Sequence, residues 1–247
     1  MFVYGVCVGP SGRFERVLNP SLMRLGLGPV LVRTRQRSIF DAYNSILDEA
    51  VTRWPNAEGV VLAHEDLEIR DAAFEARLRD TLAIPRAGVV GVVGGAGHTD
   101  NWWWNSQRKY GYVEHAVYTH DFPRGTHDVD TVDGLLMVVA PRAAREIRLD
   151  GRRYPGFHGY DSELCSIVRA HGMRILVTDL DVFHDCNTLD WSRPELRWAM
   201  YEWMLRWRRP DRLRTRLVWR TKRRILRLLS ASGYSMPPDS RDSSPSE

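Results

Sequence analysis

Three separated groups of residues in this chain could do chemistry together. His64, Glu65 and Asp66 follow directly on the apolar run Val60-Val61-Leu62-Ala63, Asp161 follows Phe157-His158-Gly159-Tyr160, and His184 ends the short run Val182-Phe183. One carboxylate and two imidazoles form a donor set for a borderline divalent ion; mixed oxygen and nitrogen ligands lean toward Mn²⁺, with Mg²⁺ the other candidate. An ion with open positions can clamp a diphosphate and stabilise the charge that develops as it leaves. Each group also has a plainer reading. The triplet could be a solvated strand terminus, Asp161 a helix N-cap, and His184 a histidine satisfied at a sheet end. A zinc hydrolase built from His64, His158 and His184 lacks the histidine spacing of such sites.

The elements around these residues predict how they would meet. The run at 60–63, bounded by Asn56, Gly59 and the acids, reads as a strand buried on both faces, and open α/β sheets bind ligands at the carboxyl ends of their strands. The triplet therefore emerges at a sheet edge facing solvent or ligand. Residues 2–8 read as a first strand ended by the turn Gly9-Pro10-Ser11-Gly12. Residues 14–25 are weakly helical, 29–33 form a short strand, and 38–54 a helix capped by Ser38 and stopped by Pro55. A helix at 72–82 and one glycine-punctuated strand at 88–95 follow. Strand alternating with helix predicts a mostly parallel sheet with right-handed crossovers.

The second half is less regular. Residues 95–130 suggest loops and hairpins over a site. Strands are expected at 134–140, 174–177 and 182–184, and helices at 141–147 and 162–171, the latter introduced by Asp161. Two more helices, 193–207 and 212–229, are separated at Pro210, and 237–247 reads as disordered.

Composition narrows the class. At 247 residues with 43% hydrophobic content, a sizeable core is available. No window approaches the ~18 to 20 apolar residues of a membrane span, and the start lacks the charged region of a secretory signal, so a cytoplasmic protein is expected. Cys7, Cys165 and Cys186 are too few and too scattered for a disulfide framework or a structural zinc cluster. The net charge of +4 hides an asymmetry: between Arg206 and Arg227 ten Arg and one Lys face a single acid, Asp211, while the remainder is net acidic. A distinct anionic partner for this region follows.

Several motifs in fixed order carry a resemblance. The stretch from Val60 to Ile69, Ser38-Ile39-Phe40-Asp41-Ala42-Tyr43-Asn44, Val132-Asp133-Gly134, Phe157 to Cys165 and Phe183-His184 resemble family 2 glycosyltransferases of the GT-A fold. The similarity is closest to the subgroup related to a streptomycin-biosynthesis glycosyltransferase, and it runs from about Phe2 to about Asn187. It implies an α/β domain over 1–190 with a mostly parallel nucleotide-sugar transferase sheet flanked by helices. The residues beyond have no equivalent in the family and read from the sequence as a basic amphipathic helical extension over 191–232 and a disordered tail over 233–247. The resemblance also implies a divalent metal, a nucleoside-diphosphate-sugar donor and a carbohydrate, lipid-linked or small-molecule acceptor.

The family's Asp-x-Asp element falls on His64-Glu65-Asp66, so Asp66 matches the second acid and His64 replaces the first. The general base falls on Asp161 and the late metal-site histidine on His184. Gly9, Pro10, Ser38, Tyr43, Asn44 and Glu65 fall on the donor side. Asp133, Gly134, His158 and Tyr160 fall on the acceptor or sugar side. The Trp102-Trp103-Trp104 run offers flat apolar faces to a sugar, and Trp103 and Trp104 are expected there, although one of the three must turn into the core. Direct displacement with inversion is the mechanism implied.

The stripe Leu213, Leu217, Thr221, Ile225, Leu228 and Leu229, with arginines over much of the rest, makes a basic amphipathic helix that could lie on an anionic membrane or pack on protein. Nucleic acid is the weaker partner, because no RNA-binding framework accompanies the arginines. A non-catalytic nucleotide-sugar or glycan-binding module is the other class left open.

Overall fold

In the computed structural model, described here for residues 1–98, 100–154, 156–186, 193–208 and 213–233, strands and helices alternate through the first half. In chain order they are β1 (Val3–Val8), α1 (Asn19–Arg24) after a π-helical turn, β2 (Val30–Thr34), α2 (Ile39–Arg53), β3 (Val60–Ala63), β4 (Leu67–Ile69) and α3 (Phe74–Leu82). Next come β5 (Ala87–Gly91), β6 (Val93–Ala96), β7 (Arg108–His115), β8 (Thr119–Asp121), β9 (His127–Val129), β10 (Thr131–Val132), β11 (Leu136–Val139) and α4 (Pro141–Glu146). The chain continues through α5 (Tyr160–Ala170), β12 (Arg174–Val177), β13 (Val182–His184), α6 (Pro194–Trp203) and α7 (Leu213–Ala231).

Among the described residues the strands form a seven-stranded sheet, β2-β1-β3-β11-β5-β12-β9, and a second sheet, β10-β6-β7-β13-β4, with β8 added to β7. Alternation along the central strands fills both faces of the first sheet. Val60 and Leu62 of β3, with Met137 and Val139 of β11, pack toward α2, α4 and α5, while Val61, Ala63, Leu136 and Val138 pack toward α1, α3 and the second sheet. Two-sided burial is why these strands read as unbroken apolar runs. Ser38 caps α2 by accepting from the Phe40 amide at 3.2 Å, and Ile39, Phe40, Tyr43, Ile46, Leu47 and Ala50 share its buried face.

Three expectations are corrected. The α/β sheet flanked by helices is present, but it is mixed rather than mostly parallel. β11 runs antiparallel to both β3 and β5, because it arrives from the second sheet through β10 without a crossover helix. The single strand expected at 88–95 is two, with Gly91 paired to Val177 in the first sheet and Gly94 paired to Tyr110 in the second. β3 lies between β1 and β11, so His64 follows the end of a central strand and not a sheet edge. The break at Pro210 and the tail from residue 234 lie outside the described residues.

Helix α6 and the π-helical turn after it (Met204–Arg208) are fastened to α5. The fully buried Glu163 accepts from Tyr154 Oη at 2.6 Å and from Trp207 Nε1 at 2.8 Å, and it forms an ion pair with Arg206. Trp203 Nε1 donates to Ser166 Oγ at 2.8 Å. Burial pushes the Glu163 carboxyl up, and the Tyr154, Trp207 and Arg206 contacts oppose this. Glu163→Ala leaves the Tyr154 hydroxyl and the Trp207 indole without their acceptor and Arg206 with Asp150 alone at 3.6 Å, so it should lower unfolding stability by about 1–3 kcal/mol for each buried donor left unpaired, read from urea denaturation. An unchanged midpoint would contradict this clamp.

Candidate active site

At the carboxyl ends of β1, β2 and β3 lies a cavity of about 950 Å³. The parallel pairing of β1 with β2 and β3 brings three strand ends side by side. His64, Glu65 and Asp66 make the turn from β3 into β4, closed by the Leu67 amide donating to the His64 carbonyl. β13 pairs with β4 so that His184 stands opposite Leu67, and the Asp185 amide donates to the Asp66 carbonyl at 2.8 Å. That pairing and the hydrogen bond beyond it place His184 against Asp66.

His64, Asp66 and His184 form a cluster whose potential ligand atoms all lie within 4.8 Å of one another. His184 Nε2 stands 3.1 Å from Asp66 Oδ1, and His64 Nδ1 stands 3.4 Å from His184 Nε2 and 3.9 Å from Asp66 Oδ1. The remaining ring nitrogens have partners of their own. His64 Nε2 meets Tyr160 Oη at 2.5 Å, and His184 Nδ1 meets His115 Nδ1 at 3.2 Å. Outer contacts of this kind orient the two rings; the inner nitrogens are open to an ion in the tautomers in which His64 Nε2 donates to Tyr160 Oη and His184 Nδ1 donates to His115 Nδ1. The three residues thus fit a divalent metal in donor type, spacing and support.

Electrostatics agrees with that use. Burial opposes ionisation of Asp66, but the His184 hydrogen bond, the His64 and His184 charges and the Arg13 guanidinium outweigh it and hold the carboxyl well below its usual range. Burial and the neighbouring His184 push the His64 imidazole down, toward the neutral form a ligand needs. Arg13 Nη1 donates to the outer Asp66 oxygen at 2.7 Å.

The opposite wall comes from α5 and the approach to β11. Gly159, at φ 81°, is the N-cap residue of α5, so Asp161 lies inside the first turn and is not the cap. Its Oδ1 accepts from the Ser162 amide at 2.8 Å. Desolvation, reinforced by the negative charge of Asp133, raises the Asp161 carboxyl to about 7. Asp133 accepts from Trp103 Nε1 at 2.8 Å and from the Leu135 amide at 2.9 Å. A Cβ at Gly134 would stand 2.2 Å from Tyr160 Oη, so only glycine lets that tyrosine reach His64. Tyr160 is steadied edge-on by Tyr43 at 5.5 Å.

Of the residues singled out from the sequence, Gly9, Pro10, Tyr43, His64, Glu65, Asp66, Trp104, Asp133, Gly134, His158, Tyr160 and Asp161 line this cavity. His184 is buried beside them. Ser38, Asn44 and Trp103 do not line it. Ser38 serves as a helix cap, and Asn44 exchanges two hydrogen bonds with the Leu149 backbone, at 2.8 and 2.9 Å. Trp103 is the indole that turns into the core, and Trp102 stacks with Trp104 at 5.7 Å on the cavity side. Glu65 turns back to the first loop, accepting from the Gly9 amide and Ser11 Oγ at 3.0 and 2.8 Å. Burial pushes His158 down to about 4.

The sequence reading missed Arg13, Arg35 and Asn101, and placed Trp103 where Trp102 stands beside Trp104. Arg35 follows β2 with a left-handed φ of 52° and lines the cavity, as does Asn101. Their position at strand ends was a usable signal for Arg35; Asn101 sits in a loop with no periodicity to place it.

A family model described as "Glycosyltransferase like family" matches residues 30–204. The chain belongs to that family. It is 35% identical over 208 residues to the streptomycin biosynthesis protein StrF of Streptomyces griseus, covering 80% of this chain and 73% of that protein. Among solved structures, the mannosyltransferase PcManGT from Pyrobaculum calidifontis, in complex with GDP-Man and Mn²⁺, aligns at a TM-score of 0.54 and 13% identity, covering 96% of this chain and 76% of that one. GalNAc-T7 with UDP, GalNAc and Mn²⁺ aligns at 0.51 and 11% identity, over 76% of this chain and 43% of that one. These structural likenesses show the GT-A fold, and the family makes the protein a glycosyltransferase.

The raised Asp161 carboxyl of this glycosyltransferase has a stability consequence. The unfolded chain loses that proton near the ordinary value of 3.8 and the folded chain near 7. Between those values the folded form binds more protons, so stability falls as pH rises through the window. Asp161→Asn removes the titration while keeping an acceptor for the Ser162 amide. Its melting temperature should exceed the parent's at pH 8, by a margin on the order of a few kcal/mol in stability that shrinks toward pH 4. An equal or lower melting temperature at pH 8 would contradict the raised value.

Proposed function

We propose that this glycosyltransferase moves a sugar from a nucleoside-diphosphate donor to an acceptor hydroxyl with inversion, using Asp161 as the general base and a divalent ion at His64, Asp66 and His184. The observation that carries this reading is the pairing in one cavity of a His/Asp/His cluster with a separate carboxyl raised to about 7. The structurally similar PcManGT with GDP-Man and Mn²⁺ and GalNAc-T7 with UDP, GalNAc and Mn²⁺ support the donor class and favour Mn²⁺ over Mg²⁺ as the ion.

An ion in that site supplies positive charge to the donor diphosphate and to the leaving nucleotide. The chain's own residues do the rest. The loop at Gly9 and Pro10, held by Glu65, and the residues Thr34, Arg35 and Gln36 after β2 form the wall for the nucleotide, with the Arg35 guanidinium available to phosphate oxygens. Trp102 and Trp104 offer stacked indole faces to a sugar ring. Asp161 takes the proton from the acceptor hydroxyl as the new bond forms at the anomeric carbon and the bond to the diphosphate breaks. A base that ionises near 7 is matched to neutral pH. Tyr160 orients His64 and does not exchange a proton in this scheme, since burial pushes its hydroxyl well above its ordinary value.

Loss of a general base costs roughly 10²–10⁴-fold in rate. Asp161→Asn should therefore lose transfer by at least the lower figure while binding the donor with nearly unchanged affinity, measured by single-turnover kinetics and calorimetry. In the parent, kcat/KM should fall as pH drops below about 7, because protonation removes the base. Substantial turnover by Asp161→Asn would overturn the role.

A further inference from the structure

We propose that the outward face of α7 docks this protein on an anionic lipid surface. The helix spans Leu213–Ala231 and carries seven basic residues and no acid. It is anchored to α6 along one side: Leu226 is buried, Arg223 pairs with Glu202 at 2.9 Å, Ser230 Oγ donates to Glu195, and Arg227 covers the Trp198 ring. At about 100° per residue, Leu226, Arg223 and Ser230 share that anchored side.

The apolar stripe points elsewhere. Leu213, Leu217, Val218, Ile225 and Leu228 fall within an arc of about 140° on the opposite side of the helix. They are 70%, 52%, 45%, 51% and 65% exposed. Arg214 and Arg224 fall within that arc, Arg220 at its margin and Arg216 on the flank toward the anchored side; all four are exposed, and none has an acidic partner among the described residues. A helix folded against its own domain buries its apolar stripe and exposes its charges. This one turns Leu226, Arg223, Arg227 and Ser230 inward and leaves five large apolar side chains and four arginines facing out.

Charge complementarity selects the occupant. A second copy of the same face would set arginine against arginine with no acid to relieve them. Nucleic acid would satisfy the cations but leave five large apolar side chains without a partner. A bilayer surface with anionic headgroups satisfies both, because arginines reach the phosphates while the leucines enter the acyl boundary. Helix α6 packs along α7 and carries Leu196 to the cavity wall, so docking sets the cavity one helix away from the lipid.

The test is flotation of the full chain with phosphatidylcholine vesicles, with and without phosphatidylglycerol. Expected is recovery with the anionic vesicles only, reversed by high salt. Two variants, Leu217→Asp with Leu228→Asp, and Arg216→Gln with Arg220→Gln and Arg224→Gln, should each cut that recovery about tenfold or more. All five positions are exposed, so both variants should melt like the parent; if one fails to fold, the other carries the test. Parent flotation equal with and without phosphatidylglycerol, variants that float like the parent, a dimer lost in the leucine variant without vesicle binding, or retention by an oligonucleotide in place of vesicles would each overturn the proposal.

Discussion

Two imidazoles and a carboxylate drawn within 4.8 Å of one another, partly out of water, are the constraint around which this molecule is arranged. Such a group is costly to bury unless its members pair. Asp66 stays ionised because His184 and Arg13 both contact it, and burial and the neighbouring His184 push the His64 imidazole toward its neutral form. The pairing is possible only because β3 is held in the middle of one sheet while β4, three residues later, enters the other. β13 is then laid on β4 with His184 in register with Leu67. The metal proposed here would occupy the join between two sheets, where neither can shift without moving a ligand.

The opposite wall depends on the same cluster through a single contact. Tyr160 reaches His64 across Gly134, and Tyr160 opens the helix that carries Asp161. The buried Glu163, one turn further along, ties that helix to Arg206, Trp207 and Tyr154. The proposed base is therefore positioned by a helix whose first turn is fixed at one end by the cluster and at the other by α6. Burial raises both acids, but at Asp66 the His184 and Arg13 contacts outweigh it and keep the carboxyl charged, whereas at Asp161 the charge of Asp133 adds to it and keeps the carboxyl ready to accept a proton.

Much of this was legible in the residues. Two-sided burial leaves an apolar run that period alone can recognise, and so β3, β11 and β12 stood out, as did α2 with Ser38 at its start. The cluster was legible because polar ligands followed those runs immediately. What was not legible depended on pairing between distant segments. The antiparallel entry of β11 and the split of β5 from β6 are set by which sheet each segment joins, and no local periodicity encodes that. Trp103 and Trp102 exchanged roles for a similar reason: adjacent indoles differ only in the direction each points, and the Asp133 carboxylate decided it by accepting from Trp103. Asn44 looked like a donor contact because its helix lies beside the cavity, but its amide is used to hold the Leu149 backbone.

The metal site is the central claim, and Mn²⁺ titration of the full chain followed by electron paramagnetic resonance tests it most directly. The account predicts one tight Mn²⁺ per chain, nitrogen coupling from two imidazoles, and loss of the bound signal in Asp66→Ala and His184→Ala variants that remain folded. Mn²⁺ binding without nitrogen coupling, or binding unchanged in both variants, would contradict it.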